Sequence, residues 1–158
     1  FEHKLLYKSK GHVPKGAYMT PIGHAAVRRE GSDVTIIATA IMVQKALEAA
    51  EQLAAQGITA EVIDLRTVRP IDRETVLESV RKTGRLVCLY EGVKTLGIGA
   101  EISAMVAESD AFDYLEAPII RLGGAESPIP YNPVLEKAVV PQVPEILNTC
   151  LKLAQGYI

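Results

Sequence analysis

Short apolar runs recur along the chain and predict five β-strands. The three central runs, VTIIA, EVIDL and LVCLY, are continuous and rich in β-branched or large apolar residues. Uninterrupted apolar character is typical of strands buried on both faces, as in a parallel sheet covered by helices. The five predicted strands are residues 24–29, 33–38, 60–65, 85–90 and 118–122.

Between and after these strands, apolar residues follow the three-and-four spacing of amphipathic helices. Asp72 is placed to cap one helix at its N-terminus, and Gly84 is placed to end it. Strands that alternate with helices of this length predict a three-layer α/β domain. The four predicted helices are residues 41–56, 72–83, 99–108 and 143–154.

The two ends of the chain differ in character. Residues 1–20 have no sustained period and predict an arm or linker, whereas residues 21–158 are predicted to form one domain. One local signal is ambiguous, because Glu30, Gly31 and Ser32 separate the first two strands by so little that a hairpin is the natural interpretation. A hairpin would make these two strands antiparallel neighbours.

Composition and charge exclude several classes of function. A chain of 158 residues suits one domain, and a net charge of -2 provides no global basic field for nucleic acid or an anionic membrane. The apolar runs are too short to span a bilayer. Cys88 and Cys150 lie in apolar surroundings without nearby histidines, which predicts two buried free thiols rather than a zinc site.

Glycines in the stretch LGIGAE suggest a phosphate site at a helix N-terminus. However, Ile102 stands where the dinucleotide fingerprint needs a third glycine after Gly97 and Gly99. We therefore favour the interpretation that these glycines allow tight packing of a helix against the sheet.

Charged residues at strand ends are the other candidates for chemistry. Arg66 and Arg69 can bind an anion as bidentate donors, although ion pairing within the domain or to a neighbouring subunit is the favoured interpretation. Glu91 follows the fourth strand, a common catalytic position, but has no evident partner acid, histidine or nucleophile. The residues alone therefore predict an α/β domain with no catalytic, cofactor-binding or metal-binding residue of its own.

Four motifs in the same order resemble a known family. DLRTVRPID and EGVKTLGIGAEI are similar to stretches of transketolase C-terminal domains. RLGGAESPIPY and the initial FEHKLLY resemble the branch formed by beta subunits of the decarboxylating first component of 2-oxo acid dehydrogenase complexes, of the pyruvate or acetoin type. The resemblance covers nearly the whole chain.

The resemblance implies an α/β/α sandwich with a mixed five-stranded sheet of order 1-3-2-4-5. Strand 1 is then an antiparallel edge strand, which contradicts the hairpin interpretation, and we follow the family because its helical crossovers match the pattern here. A switch point falls between strands 2 and 4 in that order. Thr39, Glu91, Gly97 and Gly99 are expected to line a possible ligand crevice there.

The same resemblance implies a role in oxidative decarboxylation of a 2-oxo acid, with pyruvate the favoured substrate, and acyl transfer to lipoyl. Thiamine diphosphate with Mg²⁺ is expected in the intact enzyme but outside this chain, so the isolated chain is expected to be inactive. The implied partners are an alpha subunit and a second beta subunit in a heterotetramer. The compartment is then the bacterial cytoplasm or, in a eukaryote, the mitochondrial matrix.

A further implied partner is the basic subunit-binding domain of the dihydrolipoyl acyltransferase. Glu116 and the terminal carboxylate of Ile158 match the family's docking positions, and carboxylates there can pair with an arginine or lysine. Three alternatives stay open: the matching domain of transketolase or deoxyxylulose-phosphate synthase, a non-enzymatic α/β binding module, and a nucleotide-binding domain using Gly97 and Gly99.

Overall fold

The computed structural model describes residues 2–156, and its centre is a five-stranded sheet. The strand order is β1-β3-β2-β4-β5, with β1 antiparallel to β3 and all other pairs parallel. The predicted sheet order and antiparallel edge strand are therefore confirmed. The strands are β1 Ala26–Arg29, β2 Val34–Ala38, β3 Ala60–Asp64, β4 Leu86–Val93 and β5 Ile120–Gly124.

Helices cover both faces of the sheet. Helices α1 and α5 pack on one face and α2 and α3 on the other, whereas α4 contributes no buried residue. Two short 3-10 helices, Lys4–Lys8 and Asp110–Tyr114, complete the elements of the described residues. The α-helices are α1 Ile41–Ala54, α2 Arg73–Thr83, α3 Ile98–Ala107, α4 Pro133–Val139 and α5 Val143–Ala154.

Strand β2 shows why the central strands read as continuous apolar runs. Successive side chains point to opposite faces, so Ile36 packs with α1 and α5 while Ile37 packs with α2 and α3. All five residues of β2 are buried. One is polar, and the Thr35 hydroxyl is satisfied by the hydroxyls of Ser79 at 2.6 Å and Thr83 at 2.7 Å.

The hairpin interpretation of residues 30–32 is wrong, and Gly31 shows the physical reason. A Cβ atom at Gly31 would lie 2.3 Å from the carbonyl carbon of Ala60, because the connection crosses the start of β3. Strand β3 thereby lies between β1 and β2, and Val27 is paired with Ile63. The buried strand β2 gains a parallel neighbour on each side through helical crossovers.

Candidate functional site

The carboxyl ends of the parallel strands carry the backbone strain of the chain. Within residues 2–156, the non-glycine residues with positive φ are Ala40 at 51°, Arg66 at 56° and Leu96 at 57°. Each lies in the connection that follows β2, β3 or β4. Such conformations cost energy and concentrate at ligand and active sites, and this edge is where open α/β sheets bind ligands. This edge of the sheet is therefore the favoured location for a ligand site.

A groove of about 660 Å³ runs between this edge and the N-terminal arm. We call it the arm groove and define it by His3, Leu6 and Tyr7 on the arm side, and by Arg28, Thr39 and Arg66 on the sheet side. Its volume lies within the usual range of small-molecule pockets, about 300–1,000 Å³. Much of its lining is apolar, with charged groups confined to a few positions.

The charges on the sheet side of the groove centre on Asp64. Its Oδ2 atom lies 3.9 Å from Arg28 Nη1 and 4.0 Å from Arg66 Nε, at the outer limit of an ion pair. Its Oδ1 atom accepts a hydrogen bond from the Arg66 backbone N–H at 3.2 Å. The predicted ion pair of Arg66 within the domain is therefore present only as a long contact to Asp64. The guanidinium donors of Arg66 remain available to a ligand.

Glu91 contacts the arm directly. His3 Nε2 and Glu91 Oε2 are 2.8 Å apart, and both side chains are about three-quarters buried, with exposures of 24% and 27%. This contact joins the arm to the carboxyl half of β4. Of the predicted crevice residues, Thr39 lines the arm groove, whereas Glu91 contacts the groove through His3. The ligand crevice at the switch point stays a prediction.

The glycines of LGIGAE pack against an aromatic ring. A Cβ atom on Gly97 would lie 2.7 Å from Tyr90 Cε2 and 2.5 Å from the Val93 carbonyl oxygen, and one on Gly99 would lie 2.6 Å from Tyr90 Cε1. The packing interpretation of these glycines is confirmed. Gly97 also borders a separate groove of about 500 Å³, which meets the arm groove at Val68.

The hydroxyl of Tyr90 is buried and has no hydrogen-bond partner among the described residues. Burial raises the pKa of Tyr90, and the nearby Arg121 opposes part of that rise without reaching hydrogen-bond geometry. The Arg121 guanidinium instead donates to the Lys94 carbonyl at 2.9 Å. Arg121 of the RLGGAESPIPY motif thus joins β5 to the connection that follows β4.

Glu116, the predicted docking residue, lies on another surface. It borders a cleft of about 760 Å³, which we call the Glu116 cleft and define by Phe112, Asp113, Leu115, Glu116 and Pro118. The Glu116 side chain is 61% exposed, and its Oε2 atom forms an ion pair with Arg85 Nη2 at 2.7 Å. The Glu116 carboxylate is therefore accessible to a partner but already paired with one arginine. Ile158, the second predicted docking residue, lies outside the described residues.

Several residues of these surfaces were missed by sequence reasoning. His3 and Arg28 were assigned no role, although each contributes a charged or polar group to the arm groove. Arg85 and Phe112 were likewise not singled out at the Glu116 cleft. Arg85 is the first residue of the predicted fourth strand, but its partner Glu116 is 31 residues away, so no local signal in the sequence marks their contact.

Within residues 2–156 no group of three or more His, Cys, Asp or Glu side chains is arranged to hold a metal ion. No helix in that range is long and apolar enough to cross a membrane.

Comparison with known proteins identifies the family. The model of the family described as transketolase, C-terminal domain, matches residues 23–146. The chain belongs to this transketolase C-terminal domain family. The match falls within the predicted domain of residues 21–158, and the boundary with an arm of residues 1–20 stays a prediction.

Curated relatives of this transketolase C-terminal domain are named as beta subunits. The chain is 52% identical to the mitochondrial pyruvate dehydrogenase E1 component subunit beta of Dictyostelium discoideum, over 98% of this chain and 44% of that protein. It is 45% identical to the acetoin:2,6-dichlorophenolindophenol oxidoreductase subunit beta of Cupriavidus necator, over 98% of this chain and 46% of that protein. The resemblance to pyruvate and acetoin dehydrogenase beta subunits is confirmed, and the chain spans less than half the length of these relatives.

Solved structures agree with the fold. A split-gene transketolase, described as an inactive beta4 tetramer, superposes with a TM-score of 0.77 at 30% identity, over 93% of this chain and 46% of that one. Transketolase of Pichia stipitis superposes with a TM-score of 0.53 at 18% identity over 85% of this chain, which shows the fold alone.

Among the residues that the structure describes, no three His, Cys, Asp or Glu side chains converge on one point. Because Mg²⁺ in a diphosphate site is commonly held by one or two carboxylates together with phosphate oxygens, this finding assigns no residue of the domain to thiamine diphosphate. No reaction step is therefore assigned to these residues.

Proposed function

We propose that this domain is the C-terminal assembly and docking part of the beta subunit of a 2-oxo acid dehydrogenase first component, acting on pyruvate. The observation that supports it is identity of 45–52% to pyruvate and acetoin dehydrogenase beta subunits over more than nine-tenths of the chain. Identity to the split-gene transketolase is lower, at 30%, which favours the dehydrogenase branch over transketolase itself.

In this proposal the chemistry takes place outside the chain. Thiamine diphosphate with Mg²⁺ is bound by the rest of the beta subunit and by an alpha subunit, and its thiazolium ring supplies the electron sink for decarboxylation. The domain contributes contacts that hold the heterotetramer together. Relatives include mitochondrial proteins of eukaryotes and a protein of Rhizobium meliloti, which supports either the mitochondrial matrix or a bacterial cytoplasm.

A chimera tests this function. The present chain replaces the aligned part of the Dictyostelium beta subunit, which is co-expressed with its alpha subunit and assayed by pyruvate-dependent reduction of 2,6-dichlorophenolindophenol. We expect assembly and activity comparable to the parent. A matched chimera carrying the C-terminal domain of Pichia stipitis transketolase, which shares the fold at 18% identity, should fail to assemble. A folded chimera of the present chain that does not bind the alpha subunit would contradict the proposal.

The location of the cofactor is tested on the isolated chain. Titration calorimetry with thiamine diphosphate and Mg²⁺ should give no saturable heat, because in this proposal the cofactor is bound by the rest of the beta subunit and by the alpha subunit. A saturable signal at micromolar concentration would place the cofactor site within this chain.

We assign docking of the acyltransferase to the Glu116 cleft, and the contribution of the Ile158 carboxylate stays a prediction. The cleft combines the acids Asp113 and Glu116 with Phe112, which is 56% exposed. A basic segment can pair with the carboxylates and place a cation over the ring. Arg85 already pairs with Glu116, so the incoming cation must share or displace it.

The docking test uses the active chimera. Replacing Glu116 by Ala, or extending the chain beyond Ile158, should weaken binding of the subunit-binding domain more than tenfold, since losing one partner of a desolvated pair costs about 2–5 kcal/mol. Dye reduction should be unchanged. Glu48→Ala, an exposed acid on α1, is the matched control. Unchanged affinity in both test variants would exclude this docking site.

A further inference from the structure

We propose that the arm groove binds a small organic monocarboxylate with an apolar body, held by Arg28 and Arg66. The inference is independent of the docking function, because the groove lies at the carboxyl edge of the sheet and shares no lining residue with the Glu116 cleft. Of the four predicted crevice residues, Thr39 is the one that lines the arm groove.

The first argument is the set of unused donors. Within residues 2–156, neither the Arg28 nor the Arg66 guanidinium donates a hydrogen bond. Their nearest nitrogens lie 3.9 Å and 4.0 Å from Asp64 Oδ2, which is the outer limit of an ion pair. Each guanidinium has five N–H donors in a planar fork that matches a carboxylate bidentately. The side chains are 44% and 36% exposed, so a ligand in the groove can reach them.

Charge balance selects the type of anion. Two guanidinium groups around one carboxylate leave a single excess positive charge on the sheet side of the groove. Glu2, on the arm side, adds a negative charge that opposes a second negative charge on the ligand. A monocarboxylate therefore neutralises the sheet side of the groove, whereas the second charge of a phosphate dianion meets Glu2 without a compensating cation.

The remaining lining selects the body of the ligand. Leu6 and Tyr7 from the arm face Ala40, Val43 and Val68 from the sheet side, and this surface favours an apolar chain or ring. The contact between His3 and Glu91 holds the arm in place over the groove. The groove is thus formed in the folded domain before any ligand binds, which lowers the ordering cost of binding.

The experiment is a titration of the uniformly ¹⁵N-labelled chain with hexanoate, followed by amide chemical shifts. We expect saturable shifts at Thr39, Ala40 and Gln44 at millimolar concentrations. Hexan-1-ol, which has the same body without the charge, and hexyl phosphate, which carries a second charge, should each bind roughly fivefold more weakly or worse. Equal binding of hexan-1-ol would overturn the proposal, because the arginines would then contribute nothing.

Two independent variants locate the anion. Arg28→Gln and Arg66→Gln should each weaken hexanoate binding roughly fivefold while leaving the rest of the spectrum in place. Arg29→Gln removes the neighbouring charge on β1, which does not line the groove, and should have no effect. Shifts that map elsewhere, that fail to saturate, or that are equal in the wild-type and both test variants would overturn the assignment.

Discussion

The ring of Tyr90 fills the space that a Cβ atom on Gly99 would need, with Cε1 only 2.6 Å from that position. Gly99 lies in the first turn of α3, and Tyr90 lies on β4 beneath it. This contact sets the distance between the helix and the sheet. It explains the glycine by packing and not by a phosphate ligand.

Replacing Gly99 by Ala should therefore destabilise the domain. Alanine gains about 1 kcal/mol of helix propensity, but overpacking against the ring costs about 1–3 kcal/mol. In a Tyr90→Leu background the ring is absent, and the same substitution should become neutral or stabilising. Urea denaturation of the four proteins of this cycle measures the coupling. Gly11→Ala, with no atom within 4 Å of its Cβ position, is the control. Additive effects would contradict the packing explanation.

The unpartnered hydroxyl of Tyr90 gives a second prediction. A buried polar group without a hydrogen bond costs about 1–3 kcal/mol, so Tyr90→Phe should raise the free energy of unfolding. Tyr114→Phe, at a half-exposed ring, is the control and should change little. A marked loss of stability in Tyr90→Phe would show that the hydroxyl is hydrogen-bonded in solution.

The central strands were predictable because burial on both faces leaves a continuous apolar run, as in β2. The pairing of β1 was not predictable from residues alone, since the close approach of Gly31 to Ala60 depends on the arrangement of three strands. Only the family resemblance gave that order. Helix α4 was missed although Asn132 caps it and Pro133 begins it, because its 7 residues make only about two turns and none of them is buried.

The candidate sites were less predictable than the fold. His3 and Glu91 are 88 positions apart, and Arg85 and Glu116 are 31 apart, so neither contact leaves a pattern in a short window of sequence. The prediction that Thr39 borders a groove followed from the sheet order that the family resemblance implied.

The cysteines should be unreactive in the folded state. Both thiols are free and fully buried, and burial raises the pKa of Cys88 and of Cys150 to about 12. Little thiolate then forms near neutral pH, and reagents reach the sulfur only when the structure opens. Labelling with a disulfide reagent at pH 8 should be slow in native protein and should give two equivalents in denaturant. Rapid native labelling of either thiol would contradict this.

Lys82 should be essential to stability because of Glu61. The Glu61 side chain is only 2% exposed, and its carboxylate is paired with the Lys82 ammonium. The hydrogen bond to Glu61 raises the pKa of Lys82, so this contribution is present below the unfolded pKa and is lost as the pH rises through the folded value. Lys82→Met leaves a buried charge without its partner and should cost about 3–5 kcal/mol in urea denaturation.

Two further variants separate the buried pair from its exposed neighbour. Glu30 also contacts Lys82, at 3.1 Å, but its side chain is 80% exposed, so Glu30→Ala should cost less than about 1 kcal/mol. Adding Glu61→Gln to Lys82→Met removes the stranded charge and should restore much of the stability. A double variant as unstable as Lys82→Met alone would show that the loss came from packing.

Asp33 should make the domain more stable at neutral pH than in acid. The hydroxyl of Thr59 donates to Asp33 Oδ2 at 2.5 Å and the Thr59 backbone N–H donates at 2.6 Å, and these bonds lower the pKa of Asp33. Because the folded pKa is below the unfolded one, the stabilisation is present above about pH 3.9 and is lost as the pH falls toward the folded value. Thr59→Val keeps the shape and the backbone donor but removes the hydroxyl, and should cost about 1–2 kcal/mol at pH 7. Thr59→Ser keeps the hydroxyl and is the control.

In urea denaturation at pH 7, 5 and 3, the difference in the free energy of unfolding between wild-type and Thr59→Val should narrow at pH 3, because a protonated Asp33 gains less from the hydroxyl. A difference that stays constant across this range would mean that the Thr59 hydroxyl stabilises the domain through Ser32, whose backbone N–H it accepts at 3.1 Å, and not through the charge of Asp33.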